Sequence, residues 1–325
     1  MKTAKICRSL IFILALAILS GCSPKTKQPE NKTVRIVAAI FPAWDWTREI
    51  LGENPAGADL TLLLDSGVDL HSYQPSVEDI LTISNADLFI YVGGESDRWV
   101  TDALKQANNP NIRILRMLET LGEAAREEQV TEGMQTEEDE EEAEAEYDEH
   151  VWLSLRNAAI ITDAIAAELS DLDPEHADVY RTNAGIYQEK LKKLDEQYTQ
   201  EIRQAKLHVL LFGDRFPFRY LTEDYGLDYY AAFPGCSAET EASFETISFL
   251  AQKCDELRLP AVLSIEGSDK RIPETIIRNT QDKNQKILTL DSMQAVSAAK
   301  IREGITYLSI MENDLEILKQ ALGVN

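Results

Sequence analysis

Two of the four histidines in this 325-residue chain stand in segments that present them well for chemistry. His71 lies in Leu70-His-Ser-Tyr-Gln-Pro75, and His150 in Asp148-Glu-His-Val-Trp-Leu153. Neutral imidazole is a favoured ligand for zinc and other transition metals, so a divalent-metal site is the first chemistry these residues suggest. Carboxylates join them through a rule of topology: in open α/β sheets, ligands bind beyond the carboxyl ends of the strands. His71 follows a predicted strand at 60–64, Asp214 one at 207–212, Glu266 one at 261–265 and Asp291 one at 286–290. His150 opens a helix after an acidic loop. A nitrogen and oxygen set of this kind suits zinc or manganese. An Asp or Glu just past a strand also commonly caps the next helix, which is the ordinary role for Asp214 and Glu266. His176 and His208 read as a surface and a packed-strand histidine.

The elements that must position these groups alternate short β-branched runs with amphipathic helical stretches, the pattern of an α/β fold with mostly parallel sheets. Further strands are predicted at 34–40, 87–92, 112–115 and 227–232. Pro42 is placed to open a helix at its first turn, and Ser76-Val-Glu-Asp79 has the form of a capping box, starting a helix that reaches about Ser84. From Asp173-Pro174 a helical pattern runs to about Ala205, with Val179, Ile186, Tyr187, Leu191 and Leu194 near helical spacing. A helix of that size is roughly 45 Å long and suits a rigid spine between two lobes. A last helix is expected at 301–322. The domain reading is a signal peptide at 1–21, a tether at 22–32, an N-terminal lobe at 33–172, a linking helix at 173–205 and a C-terminal lobe at 206–325.

The compartment is read from the first residues. Lys2, Lys5 and Arg8 precede a short apolar run, and Leu19-Ser20-Gly21-Cys22 has the form of a lipobox in which Cys22 becomes the lipidated residue. Of the remaining cysteines, Cys236 and Cys254 are expected to pair outside the cytoplasm. Net charge is −24 for the whole chain, which argues against nucleic acid as a partner. Much of that charge sits in one place. Ten of the thirteen residues from Glu137 to Glu149 are acidic, and the insertion 119–149 is expected to be disordered. No GxxxxGK[ST], GxSxG or HExxH pattern occurs, so none of those routes to nucleotide binding or hydrolysis is open.

Together these segments resemble the zinc/manganese-specific substrate-binding lipoproteins of ABC transporters, the adhesin-like cluster of bacterial metal-binding proteins. The resemblance covers essentially the whole mature chain. It is carried by Gly67-Val-Asp-Leu-His71-Ser-Tyr-Gln-Pro75 with Asp79, Asn85-Ala-Asp-Leu88, Asp148-Glu-His150-Val-Trp152-Leu153, and Asp173-Pro174 through Tyr180, Asn183 and Leu191. It implies two α/β lobes joined by one long helix, with a metal ion held between the lobes. It implies His71, His150, Asp214 and Asp291 as the ligands. Asp214 falls where zinc members have a third histidine and manganese members a glutamate. Zinc is the expected cargo and manganese the alternative. The implied partners are an ABC permease and its ATPase, and the protein is expected as a lipid-anchored monomer on the extracytoplasmic face. Rival readings are an adhesin-type interaction lipoprotein with a structural metal and a metal-dependent surface hydrolase.

Overall fold

Two parallel four-stranded sheets, each flanked by helices, make up the two lobes. The first contains β1 (Arg35–Ala38), β2 (Asp59–Leu62), β3 (Leu88–Tyr91) and β4 (Arg113–Arg116) in the order β2-β1-β3-β4. The second contains β5 (Val209–Phe216), β6 (Asp228–Pro234), β7 (Ala261–Ile265) and β8 (Lys286–Leu290) in the order β6-β5-β7-β8. Every strand pair is parallel. Strands covered on both faces read as continuous apolar runs, and β3 and β7 are buried at every position. All eight expected strands are present with ends shifted by a few residues. This computed structural model describes residues 33–136, 146–237 and 241–324. The expected signal peptide, lipidated Cys22 and tether lie outside the described residues, as do residues 137–145 of the acidic run. No helix among the described residues is long and apolar enough to cross a membrane.

Helix starts follow the local chemistry. Pro42 sits in the first turn of helix Phe41–Leu51. Ser76 and Asp79 form the capping box reciprocally, Ser76 Oγ accepting from the Asp79 amide at 3.2 Å and Asp79 Oδ2 from the Ser76 amide at 2.7 Å. The spine is the 27-residue helix Ala177–Arg203, preceded by a short turn at Pro174–His176. Its buried stripe is Tyr180, Ala184, Tyr187, Leu191, Leu194, Tyr198 and Ile202, three or four residues apart as one helix face requires. Val179 and Ile186, expected on that stripe, are exposed instead; tyrosine, with its long apolar body, takes the inner positions. The expected terminal helix at 301–322 is broken. Gly304 adopts a left-handed φ of +91°, and Thr306 caps a new helix, Tyr307–Leu322, after the short helix Ala298–Arg302.

One apolar core runs through both lobes, from Ile36 and Phe89 in the first sheet to Phe212, Leu290 and Leu322 in the second. Polar cross-links reinforce it. Asp45, fully buried on the first helix, accepts from the Tyr307 amide at 2.9 Å and pairs with Arg48 at 2.7 Å. Burial pushes the Asp45 carboxyl up to about 6. The folded state therefore holds this proton more tightly than the unfolded chain, whose aspartates titrate near 3.8. Raising the pH from about 4 to about 6 releases the proton from the unfolded state first, so this group's contribution to stability falls across that window. Asp45→Asn, which keeps an acceptor for Tyr307, is expected to remove that part of the pH dependence. Urea titrations at pH 4 and pH 6.5 check it: an unchanged difference between the two pH values in the variant would refute the assignment.

The insertion expected to be disordered from 119 to 149 is ordered at 119–136 and 146–149. Glu119–Leu121 completes a helix that begins at Met117. The following segment crosses to the second lobe, where the Gln135 amide donates to Ala232 O at 2.9 Å and Gln135 Oε1 accepts from the Ser243 amide at 2.8 Å. Leu121 is buried and Met134 packs against the core. Such apolar anchors and backbone bonds outweigh the charge repulsion that dictated the expectation.

Candidate metal centre

The carboxyl ends of the two sheets face one cleft, and His71 and His150 meet there. His71 lies in a short 3-10 turn, Leu70–Ser72, whose start is capped by Asp69: Asp69 Oδ1 accepts from the His71 amide at 2.9 Å. The other Asp69 oxygen pairs with Arg215 on β5 at 2.6 Å, tying the turn to the second lobe. His150 precedes the single 3-10 turn Val151–Leu153, and Trp152 in that turn edges onto its ring with centroids 5.4 Å apart.

The Nε2 atoms of the two histidines lie 3.1 Å apart, with His71 nearly buried and His150 fully so. Both rings are held from behind. Asp148 Oδ1 accepts from both the backbone amide and Nδ1 of His150, each at 2.8 Å. His71 Nδ1 faces Ser96 Oγ at 2.8 Å, with the Glu149 carboxylate at 3.6 Å. The Asp148 carboxylate, which only accepts, assigns the proton of the His150 ring to Nδ1 and leaves its Nε2 lone pair facing His71 Nε2. Ser96 Oγ can accept from His71 Nδ1 in the same way, the arrangement in which both Nε2 atoms are free to bind a cation. With both lone pairs free, a shared cation between the two Nε2 atoms relieves their repulsion. Two ligands in a tetrahedral zinc shell are about 3.4 Å apart. Burial, and then the neighbouring His150, push the His71 imidazole down to about 3, which keeps it neutral. His150 moves the other way: burial opposes charge, but the Asp148 carboxylate overcomes it and raises the basicity of the ring.

A third donor arrives from the turn after β6. The Cys236 sulfur and one nitrogen of each histidine all lie within 4.8 Å of one another, the only such group among the described residues. Glu128 Oε1 accepts from the Cys236 amide at 3.0 Å. Gly235 makes the approach possible, because a Cβ there would stand 2.9 Å from Phe216 O and 3.0 Å from the His150 ring. From the turn after β8, the Gln294 amide reaches both histidines, donating to His150 Nε2 and lying 3.4 Å from His71 Nε2.

The expected carboxylates do not join the histidines. Asp214 sits at a register shift in β5, where its oxygens accept from the Arg215 amide at 3.0 Å and face the Ile265 amide at 3.5 Å. The irregularity leaves Arg215, not Asp214, reaching the first lobe. Asp291 folds back on its own turn, accepting from the Met293 amide at 2.9 Å, and lies 3.7 Å from Lys300. Met293 has a left-handed φ of +60°, and Gln294, the next residue, is the one that faces the histidines. Glu266 shapes the same turn, accepting from the Ser292 amide at 2.7 Å and the Gln294 amide at 3.2 Å.

The expected disulfide is likewise absent, since Cys236 and Cys254 are both free. Cys254 is fully buried in a separate apolar cluster with Leu250, Val262 and Ile276, while Cys236 faces the cleft. His176 pairs locally with Asp173 at 2.7 Å. His208 is exposed just before β5, not packed within it. Sequence reasoning missed Cys236, although the strand-end rule applied to β6 points to it. Gln294 carried no signal, because an amide is not a favoured ligand type.

Comparison with known proteins agrees with this architecture. The profile of the family described as zinc-uptake complex component A, periplasmic (ZnuA) matches residues 36–321. The zinc-binding protein AdcA of Streptococcus pyogenes is 26% identical over 293 residues, covering 88% of this chain and 55% of that protein. The chain thus spans about half the length of the first such relatives. The high-affinity zinc uptake system protein ZnuA of Bacillus subtilis is 25% identical over 316 residues, covering 96% of this chain and 94% of that protein. Among solved structures, the Zn(II)-bound ZnuA-like domain of Streptococcus pneumoniae AdcA is 24% identical, with a TM-score of 0.69 over 89% of this chain and 99% of that one. The metal-dependent lipoprotein YcdH of Bacillus subtilis is 24% identical, with a TM-score of 0.71 over 89% and 99%. Two parallel-sheet α/β lobes joined by a long helix are therefore a fold these proteins share, and the match along nearly the whole folded region means that the chain belongs to the zinc-uptake complex component A family.

Proposed function

We propose that this chain captures a zinc ion between its two lobes and delivers it to the permease of an ATP-driven importer. The role is binding and release, without chemical turnover. The observation that carries the reading is the pair of Nε2 atoms 3.1 Å apart, each ring fixed through its other nitrogen. Fixing a ligand's free nitrogen in this way sets its tautomer and raises metal affinity. Zinc is favoured over manganese because the donors at the centre are nitrogen-rich, and hard oxygen donors suit manganese better. Relatives whose names carry zinc binding or zinc uptake support the same ion.

The chain acts as a monomer anchored through lipid on Cys22, on the extracytoplasmic face. Release follows docking to the permease. The lobes are linked across the cleft by Arg215–Asp69, by Trp152 Nε1 donating to Ser292 O at 2.8 Å, and by Tyr307 Oη donating to Trp152 O at 2.7 Å. Those links keep the movement small and concentrate it in the turns that carry the ligands. Calorimetric titration of the chain from Ser23 onward, with zinc and manganese separately, tests the proposal. One tight zinc site per chain with much weaker manganese binding is expected. Only weak, multiple binding of both ions would place the cations on the acidic run and overturn the reading.

A further inference from the structure

Resting on the reading of His71 and His150 as metal ligands, we propose that Cys236 supplies a third, thiolate ligand, making the centre selective for thiophilic ions. The geometry carries this. The sulfur lies within 4.8 Å of a nitrogen of each histidine, and tetrahedral zinc holds nitrogen and sulfur ligands about 3.6 Å apart. Closing that gap takes a shift of no more than about 1 Å in a turn that is not part of any strand. Gly235 gives the sulfur its approach, since any side chain there would meet the His150 ring and Phe216 O. The Cys236 amide donates to Glu128 Oε1 of the first lobe at 3.0 Å, which ties the turn to the lobe that carries the histidines.

The thiol is hydrogen-bonded to the Glu128 carboxyl and to the Glu149 backbone, both in the first lobe, so it is held at the histidine centre and not drawn into a disulfide. Its expected partner Cys254 is buried in another cluster and is itself free. As the metal–sulfur bond forms, the thiol proton passes to water, so binding releases one proton at this residue and changes no oxidation state. A thiolate beside two imidazoles favours zinc, cadmium and cobalt(II) over manganese or magnesium, which prefer oxygen. It also separates this chain from the set of two histidines and two carboxylates that the family resemblance implied.

Cobalt(II) is the probe, used on the whole mature chain. One equivalent is expected to give an intense near-ultraviolet sulfur-to-cobalt charge-transfer band. Cys236→Ser is expected to bind cobalt through the histidines without that band, and to hold zinc at least about tenfold more weakly. Cys254→Ser is expected to behave as wild type. A second measurement needs no variant: zinc, and not manganese, is expected to slow alkylation of Cys236 in the native protein. One bound cobalt ion without the charge-transfer band, or a band that survives Cys236→Ser, overturns the thiolate and leaves the histidine site standing. Unslowed alkylation in the presence of bound zinc does the same. Wild-type protein that binds no cobalt or zinc overturns the histidine site as well.

Discussion

His150→Ala is expected to weaken zinc binding about 100-fold or more, since a complete zinc shell is worth about 10–16 kcal/mol and each protein ligand carries a large share. His150 is the better of the two histidines for this test. It is fully buried, its Nδ1 is locked to Asp148 at 2.8 Å, and its Nε2 faces both His71 and Gln294. Truncation removes the ligand and also leaves the Asp148 carboxylate without its imidazole partner. Competition against a chromophoric chelator measures the loss. A thermal melt of the metal-free variant shows that the fold persists. Zinc affinity within tenfold of wild type would remove His150 from the site.

Trp152→Ala is expected to destabilise the fold by about 3–5 kcal/mol, the usual cost of removing a large buried aromatic side chain. In a domain of this size that corresponds to a drop in melting temperature of roughly 10 °C. Trp152 has no exposed surface. Its indole crosses between the lobes to Ser292 O at 2.8 Å and supports the His150 ring from the side. The substitution therefore opens a cavity, orphans a buried carbonyl and loosens the turn that presents Gln294. Trp152→Phe separates these effects. It keeps most of the volume and loses only the hydrogen bond, for about 1–3 kcal/mol. Equal melting temperatures for Trp152→Ala and wild type would show that the lobes are held together elsewhere.

Much of this protein was legible in one dimension. The apolar runs of β1 to β8, the Ser76–Asp79 capping box and the long helical period after Pro174 are local signals. They depend on side-chain spacing and backbone propensity alone, so they survive into the structure with small shifts. The two histidines were also legible, because imidazole is a favoured metal ligand and the strand-end rule needs only the order of elements.

What the sequence could not decide is which side chains turn toward those histidines. That depends on backbone details at the strand ends, where one residue reverses a side chain's direction. The register shift in β5 turns Arg215 across the cleft and Asp214 back into its own sheet. The left-handed Met293 folds Asp291 onto its own turn and brings Gln294 forward. Cys236 and Cys254 counted as a pair by compartment alone, yet one packs in an apolar cluster and the other faces the cleft. The sequence by itself determined the elements, their order and the histidine pair, all set by local spacing. Tertiary structure decided what the second lobe brings to the centre, because the Gln294 contacts join segments 223 and 144 residues apart whose meeting depends on packing the two lobes together.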